Sequence, residues 1–377
     1  MILKYLSGNL ASIVGGYLPF CITLCFITMV VVSSTKFVNN MFYLTVLIPG
    51  LFLIVRREIP IQNRLLLGVF SYIFYIAISS LWNGGDSLKV FKYFIYLVSF
   101  YSAVFYAYKK CDFPNIWFFI MIGGSVIAIE VIGLGSFWLE EGFELWVAKF
   151  PRLSAGGLSN PVYLSSILVI SGLLVIQQWK SSIQTKLLLL VVVFFCILPF
   201  QSRSPLLGLI AGGLALLCIY LERKRDLFIG VCGLLLSLFI YNELSRRGLS
   251  FVDSRIFIWE LAIETWLQKC SLAFGCGYGY DLDLFVGERE FYHPHSIVLS
   301  QLLYGGVVGF TLFVAVFGVF LAKLFLSKSI YFAPVVAALT ILLFINNQIL
   351  NSPNVLWFIF WLPVFLGLIE LQEKNKS

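Results

Sequence analysis

Residues 187–242 read LLLLVVVFFCILPFQSRSPLLGLIAGGLALLCIYLERKRDLFIGVCGLLLSLFIYN. Three apolar runs, at 187–200, 205–221 and 227–242, are parted only by the turns QSRS and ERKRD. A helix needs about 20 apolar residues to cross the roughly 30 Å hydrocarbon layer of a bilayer. Runs near that length, divided by turns so short, predict helices that cross lipid and return. Working outward, further runs fall at 11–32, 41–55, 65–82, 90–108, 115–137, 161–179, 296–322, 330–350 and 354–371. The expectation is an all-α polytopic membrane protein of about twelve transmembrane helices, with residues 1–377 forming one integral membrane domain.

Composition points the same way. Apolar residues make up 60% of the 377, charged residues only 12%, and the 37 Phe outnumber the 26 Lys and Arg together. Soluble domains carry about 25% charged residues, so lipid must serve as solvent for most of this chain. The net charge of +7 is scattered in ones to threes, without the basic face that nucleic-acid binding requires. Lys4 precedes the first run with no convincing cleavage site after it, which reads as a first membrane helix and not a removed signal.

An even number of crossings places both termini on one side. If that side is cytoplasmic, the inner segments hold Lys4, Arg56, Arg57, Arg64, Lys109, Lys110, Lys180, Lys186, Arg223, Lys224, Arg225, Lys323, Lys328, Lys374 and Lys376, which is 15 of the 26 basic residues. These sit in short turns beside helices, where the positive-inside rule is counted.

Two outer loops then carry the information. Residues 138–160 read WLEEGFELWVAKFPRLSAGGLSN, and 243–295 form the long polar stretch of the chain. The second begins ELSRRGLSFVDSRIFIWELAIETWLQKC. Asp253 or Ser254 is of the type that caps a helix, here one running to about Lys269. Ile256, Trp259, Ala262, Ile263, Trp266 and Leu267 give that helix an apolar side, suited to lying in the membrane interface. Cys270 and Cys276 can pair as a disulfide if the loop is extracytoplasmic.

Candidate chemistry gathers on this outer side. Both histidines of the chain, His293 and His295, lie in HPHS at the mouth of the tenth run. An imidazole titrates near neutrality and suits proton abstraction from a hydroxyl, and His295 is nearer the helix. Arg203 in QSRSPLLG, Arg255, Arg152, Arg246, Arg247 and Arg289 are outer arginines that positive-inside logic disfavours. A guanidinium fork binds phosphate or diphosphate through paired N–H bonds. Asp281 and Asp283 have the Asp-x-Asp spacing that holds a divalent metal, although Glu288, Arg289 and Glu290 nearby read as a solvated charged loop. Gly275-Cys276-Gly277-Tyr278-Gly279 lacks the strand and helix of a dinucleotide site and reads as a flexible turn. Glu130 is a carboxylate inside the fifth run, a functional hypothesis by default.

These stretches, in this order, resemble the bacterial O-antigen ligase and polymerase superfamily of polytopic glycosyltransferases. Arg152 with GGLSNPVYLSS is similar to the family's Asn-Pro entry into a helix, and QSRSPLLGL to its Ser-Arg turn. SRIFIWELAI with GCGYG resembles the start of the large periplasmic loop, and HPHSIVLSQLLYGGVVG the His loop with its Gly-x-x-Gly. NSPNVLWFIFWLP looks like the end of the ligases, whereas Asn346-Asn347-Gln348 stands where a Thr-Asp-Gly-like turn is expected.

The resemblance implies transfer of a polysaccharide from undecaprenyl diphosphate to a sugar hydroxyl of the lipid A-core, in lipopolysaccharide biosynthesis at a Gram-negative inner membrane. The site would face the periplasm and both termini the cytoplasm. His295 would be the general base, and Arg203, Arg255, Arg152 and His293 would bind the diphosphate or substrate. The transfer would invert the anomeric carbon, with no cofactor or metal. A polymerase joining lipid-linked repeat units is the alternative within the family. A transporter of lipid-linked sugars is the alternative from another class, but its binding groups would lie near the bilayer midplane, where these runs are nearly free of charge.

Overall fold

A computed structural model describes residues 2–32, 34–56, 63–82, 86–141, 160–200, 202–220, 250–280, 282, 284–286, 289–291, 293–345 and 348–374. Helices occupy eleven of the twelve predicted runs, and the run at 227–242 lies outside the described residues. In chain order they are α1 (Ile2–Val31), α2 (Thr35–Val55), α3 (Arg64–Trp82), α4 (Ser87–Cys111), α5 (Ile116–Glu141), α6 (Pro161–Gln178), α7 (Ile183–Phe200) and α8 (Arg203–Tyr220). There follow the loop helix α9 (Ser250–Lys269), α10 (Ile297–Leu326), α11 (Phe332–Ile345) and α12, a π-turn at Trp357–Trp361 continuing as Leu362–Lys374. Eight of the described helices are long and apolar enough to cross a membrane. The chain is an all-α polytopic membrane protein, as its apolar runs predict.

Short polar residues start these helices by accepting first-turn N–H groups. Asn63 caps α3, Asp86 caps α4, Asn160 caps α6 ahead of Pro161, and Ser182 caps α7. Pro161 fits because a first-turn residue has no intrahelical partner for its missing N–H. The loop helix differs from expectation. It begins at Ser250, so Asp253 and Ser254 lie inside it and not at its start. Phe251 and Val252 carry no helix breaker, and the helix extends back to Ser250. The loop also holds a small antiparallel hairpin absent from the sequence reading, β1 (Leu284–Val286) with β2 (Arg289–Phe291), in register Leu284↔Phe291.

The heart of the bundle is the C-terminal helix. Trp357, Phe358, Phe360, Trp361 and Phe365 are all buried. Phe26 of α1 sets a ring edge on Phe358 at 5.3 Å, Tyr101 of α4 meets Phe365 edge-to-face at 5.2 Å, and Phe100 of α4 lies tilted at 42° against Trp357 at 5.2 Å. Edge-to-face pairs of this kind add about 0.5–1.5 kcal/mol each beyond area burial. The indoles also anchor the segment ahead of α12, Trp361 Nε1 donating to the Ile349 carbonyl at 2.8 Å and Trp357 Nε1 to Asn351 Oδ1 at 3.2 Å. At the other end of α12, Glu373 pairs with Lys109, and Glu370 takes Lys374 at 2.8 Å and the Ser329 hydroxyl.

Helix α10 is broken. Gly306 has φ 61° and ψ −163°, so the helix is two pieces meeting at a kink. Backbone groups freed at a break inside a membrane bundle must find partners, and the loop after α9 supplies them. Cys276 N and Gly277 N donate to the carbonyls of Leu303 and Tyr304 at 2.6 and 3.1 Å. Val307 N and Val308 N donate to Leu272 and Ala273 at 2.9 and 3.0 Å. The Tyr75 hydroxyl takes the Gly305 carbonyl at 2.6 Å. The GCGYG segment is therefore a fixed clasp, not a flexible turn, and Gly275, Gly277 and Gly279 all hold positive φ within it.

Only glycine fits at the crossing. A Cβ on Gly306 would lie 2.4 Å from Ala273 O and Gly275 N, and one on Gly275 would lie 2.6 Å from Gly306 N. Gly306→Ala is expected to cost about 1–3 kcal/mol from the positive φ alone, and more from the backbone overlap. Gly318→Ala, where nothing lies within 4 Å, should leave stability unchanged or raise it slightly. Thermal unfolding midpoints of the two variants in detergent check this.

Candidate functional site

Helix directions bring the singled-out residues to one end of the bundle. Gly172 of α6 faces Val193 of α7, so the start of α6 lies level with the end of α7 and the adjoining Arg203. Helix α8 runs antiparallel to α11, Gly208 meeting Ile341 and Gly212 meeting Ala333 and Ala337. Arg203 therefore lies level with the end of α11. Just beyond that end, Gln348 Oε1 accepts from the Tyr278 hydroxyl at 3.2 Å. Tyr278 N in turn donates to Ser79 Oγ of α3 at 3.0 Å. Asn160, Arg203, the 270–280 clasp, Gln348 and the first half of α10 with its preceding histidines thus share one end.

The histidines sit where α10 begins. Ser296 is its N-cap residue but accepts no first-turn N–H through its side chain. His295, immediately before it, holds φ 51°. A non-glycine residue there is uncommon and favours a functional reading when it recurs at a cleft. Pro294 between the two histidines is buried, and the two rings lie close, with centroids 3.9 Å apart and planes inclined at 58°. Burial lowers the pKa of His293 from its ordinary value of 6.5, because a desolvated imidazolium is disfavoured. Its Nδ1 is buried and has no partner among the described residues. At neutral pH His293 offers a hydrogen bond, not a cation.

Arg203 is half-buried between the buried Ser202 and Ser204 and opens α8. A helix N-terminus already carries about half a positive charge. A guanidinium placed there adds to that charge, and an anion relieves both. Beneath the histidines, the Tyr72 hydroxyl bonds Gln301 of α10, and burial raises the Tyr278 hydroxyl well above its ordinary pKa of 10.0, keeping it protonated as a donor to Gln348.

Cys270 and Cys276 are joined as a disulfide across the clasp, with Cα atoms 4.6 Å apart. Ser271 and Gly275 bridge inside it, Gly275 N donating to Ser271 O at 2.7 Å. Helix α9 lays Ile258 and Ala262 against Leu303 and Tyr304 of α10, with Trp259 and Trp266 at the margin. Ile263 and Leu267, on the apolar side read from the sequence, are exposed, along with Phe257. Arg255 falls within α9, and Arg289 within β2. Arg152, Arg246, Arg247, Asp281, Asp283, Asn346 and Asn347 lie outside the described residues. Glu130 is buried in α5. Among the described residues no three His, Cys, Asp or Glu come together as metal ligands. The contributions of Tyr72, Tyr75, Ser79 and Gln301 were not singled out by sequence, because tyrosines and serines inside apolar runs look alike until the helices are paired.

Fold and site together define a polytopic helical membrane protein with a broken helix, an imidazole pair and an arginine-tipped helix at one end. In sequence, the chain is 30% identical over 240 residues to a protein of Pseudomonas aeruginosa named O-antigen ligase, the match covering 59% of this chain and 57% of that relative. The chain thus spans little over half the length of the relative it matches. No protein-family model matches it.

Because His293 is neutral when folded, the unfolded chain takes up a proton there first on acidification. Stability is therefore expected to be complete above pH 6.5 and to fall as the pH drops below it toward the folded pKa. Midpoints measured from pH 8 to pH 5 should show that fall, and His293→Asn should flatten it.

Proposed function

We propose that this protein is an O-antigen ligase, transferring a glycan from undecaprenyl diphosphate to a sugar hydroxyl of the lipid A-core. The observation that carries the reading is the convergence of the His295 loop, the Arg203 turn and the disulfide-closed clasp at one end of the bundle, in a chain similar to a protein of that name. His295 takes the proton of the acceptor hydroxyl. The oxygen attacks the anomeric carbon as its bond to the diphosphate oxygen breaks, and undecaprenyl diphosphate leaves with the electron pair. Attack opposite the leaving group inverts the anomeric centre. Arg203, with Arg255 and Arg152, offsets the negative charge growing on the diphosphate, the kind of electrostatic contribution that is large in such barriers. His293 contributes a neutral imidazole beside the His295 ring.

A disulfide persists in an oxidising compartment, which favours the periplasm for this end. The basic residues of the opposite turns favour the cytoplasm for both termini. The protein then resides in the inner membrane of a Gram-negative bacterium and meets donor and acceptor at the outer leaflet.

His295→Ala is expected to lower glycan transfer by about 10²–10⁴-fold, and Arg203→Ala by about 10²–10³-fold. Both proteins should remain folded and inserted. Lipopolysaccharide gels of a complemented deletion strain read the outcome. Full O-antigen ladders in both variants would refute the assignment. Loss of polymer with lipid-linked chains accumulating marks a ligase, whereas one repeat unit left on the core marks a polymerase.

A further inference from the structure

At the end of the bundle opposite the histidines, the turn between α6 and α7 collects hydrogen-bond donors that lack acceptors. Lys186 is only 5% exposed, with Nζ 4.5 Å from the centroid of the Tyr220 ring. The Tyr220 hydroxyl donates to Gln177 Oε1 at 3.0 Å, which brings the Gln177 amide beside the same ring. Gln177 is also 5% exposed, and its Nε2 has no partner among the described residues. Ser181 Oγ, in the turn itself, is buried without one. Glu370, a carboxylate at this same end of the bundle, is already held by Lys374 and Ser329. Lys186 has no ion pair among the described residues.

A lysine near a membrane surface ordinarily extends its ammonium to water. This one is folded inward, and a buried ammonium without an anion is strongly disfavoured. The Gln177 amide is a donor too, and the Ser181 and Tyr220 hydroxyls are uncharged, so the component missing among the described residues is an acceptor that carries negative charge. Trp179, exposed at the edge of the turn, is of the residue type that settles at headgroup depth. Gln178 Nε2 ties the turn to the Pro114 carbonyl at 3.2 Å, and Ser182 caps α7, so these groups rest on a fixed frame.

We propose that Lys186, Gln177 and Ser181 form a binding site for the phosphate of a membrane lipid in the leaflet opposite the His295 end. The lipid phosphate supplies the anionic oxygens that the three donors lack, and Tyr220 closes one side of the ammonium. The site is independent of the transfer reaction.

The test uses the full-length protein, stripped of lipid in detergent, with phosphatidylglycerol, diacylglycerol and inorganic phosphate as separate probes. Native mass spectrometry and thermal midpoints read binding. Phosphatidylglycerol should be retained and should raise the midpoint, and diacylglycerol should not. Lys186→Met should weaken phosphatidylglycerol binding by roughly tenfold or more, as expected for loss of a charge-assisted bond. Lys180→Met, an exposed lysine of the same turn, should bind as before. Gln177→Glu supplies the anion from within, so it should be at least as stable as the parent without lipid and gain nothing from phosphatidylglycerol. This second variant decides the matter if Lys186→Met does not fold. Equal protection by inorganic phosphate alone would overturn the lipid source. An undiminished gain from phosphatidylglycerol in Gln177→Glu, or protection by diacylglycerol as strong as by phosphatidylglycerol, would overturn the site.

Discussion

Everything at the histidine end depends on how the broken backbone of α10 is satisfied. A helix inside a membrane bundle has no water to accept its loose amides and carbonyls, so a break survives only where protein replaces the lost bonds. Here the polar loop after α9 lays four backbone bonds across Gly306 and its neighbours, and Tyr75 takes the carbonyl left between them. The loop is held by the helix as firmly as the helix is held by the loop. Because the break lies between Ile297 and Val308, it fixes where the short outer half of α10 stands. That half carries Ser296, His295 and His293 at its mouth. The cysteine pair and the contact of Ile258 and Ala262 with Leu303 and Tyr304 brace the same arrangement from outside. A catalytic imidazole on a long loop would need such bracing, since geometry errors of an ångström are costly in catalysis.

The bundle below is organised by aromatic packing about α12. Lipid tails are as apolar as the helices, so close fit and interhelical hydrogen bonds replace the hydrophobic effect as the source of association. The rings of α1, α3 and α4 interlock with Trp357, Phe358 and Phe365, and serines of neighbouring helices turn their hydroxyls back onto their own backbones, as Ser99 and Ser102 do on Ile95 and Val98. This leaves few polar groups at depth and concentrates them at the two ends, where the candidate sites lie.

Much of this was legible in the chain. Apolar length is a local property, and it located the helices from Arg64 to Tyr220 within a few residues. The pairing of Asn160 with Pro161 and the placement of both histidines before α10 were also visible as strings of letters. What escaped depends on partners distant in sequence. NSPNVLWFIFWLP reads like any other crossing, and only packing makes it the centre. Gly305-Gly306 reads as a small-residue contact, whereas φ 61° at Gly306 follows from a loop thirty residues earlier. Ser254 and Asp253 are good cap residues, but the helix had no reason to stop before them. The hairpin of β1 and β2 has a weak signal in the sequence, since the triplets LFV and REF are parted by only two residues, Gly-Glu. Lys186 counted as one more positive charge on the inner side, and nothing local shows that its side chain turns inward.

The burial of α12 also orders events in time. Ribosomes emit this segment after all the other helices described, so Phe26, Phe100 and Tyr101 wait in the bilayer with their docking faces unoccupied. Until Trp357 and Phe365 are made, the rings of Phe26, Phe100 and Tyr101 lack the partners they have in the finished bundle. The aromatic core can therefore close only after the last of the described helices has been synthesised.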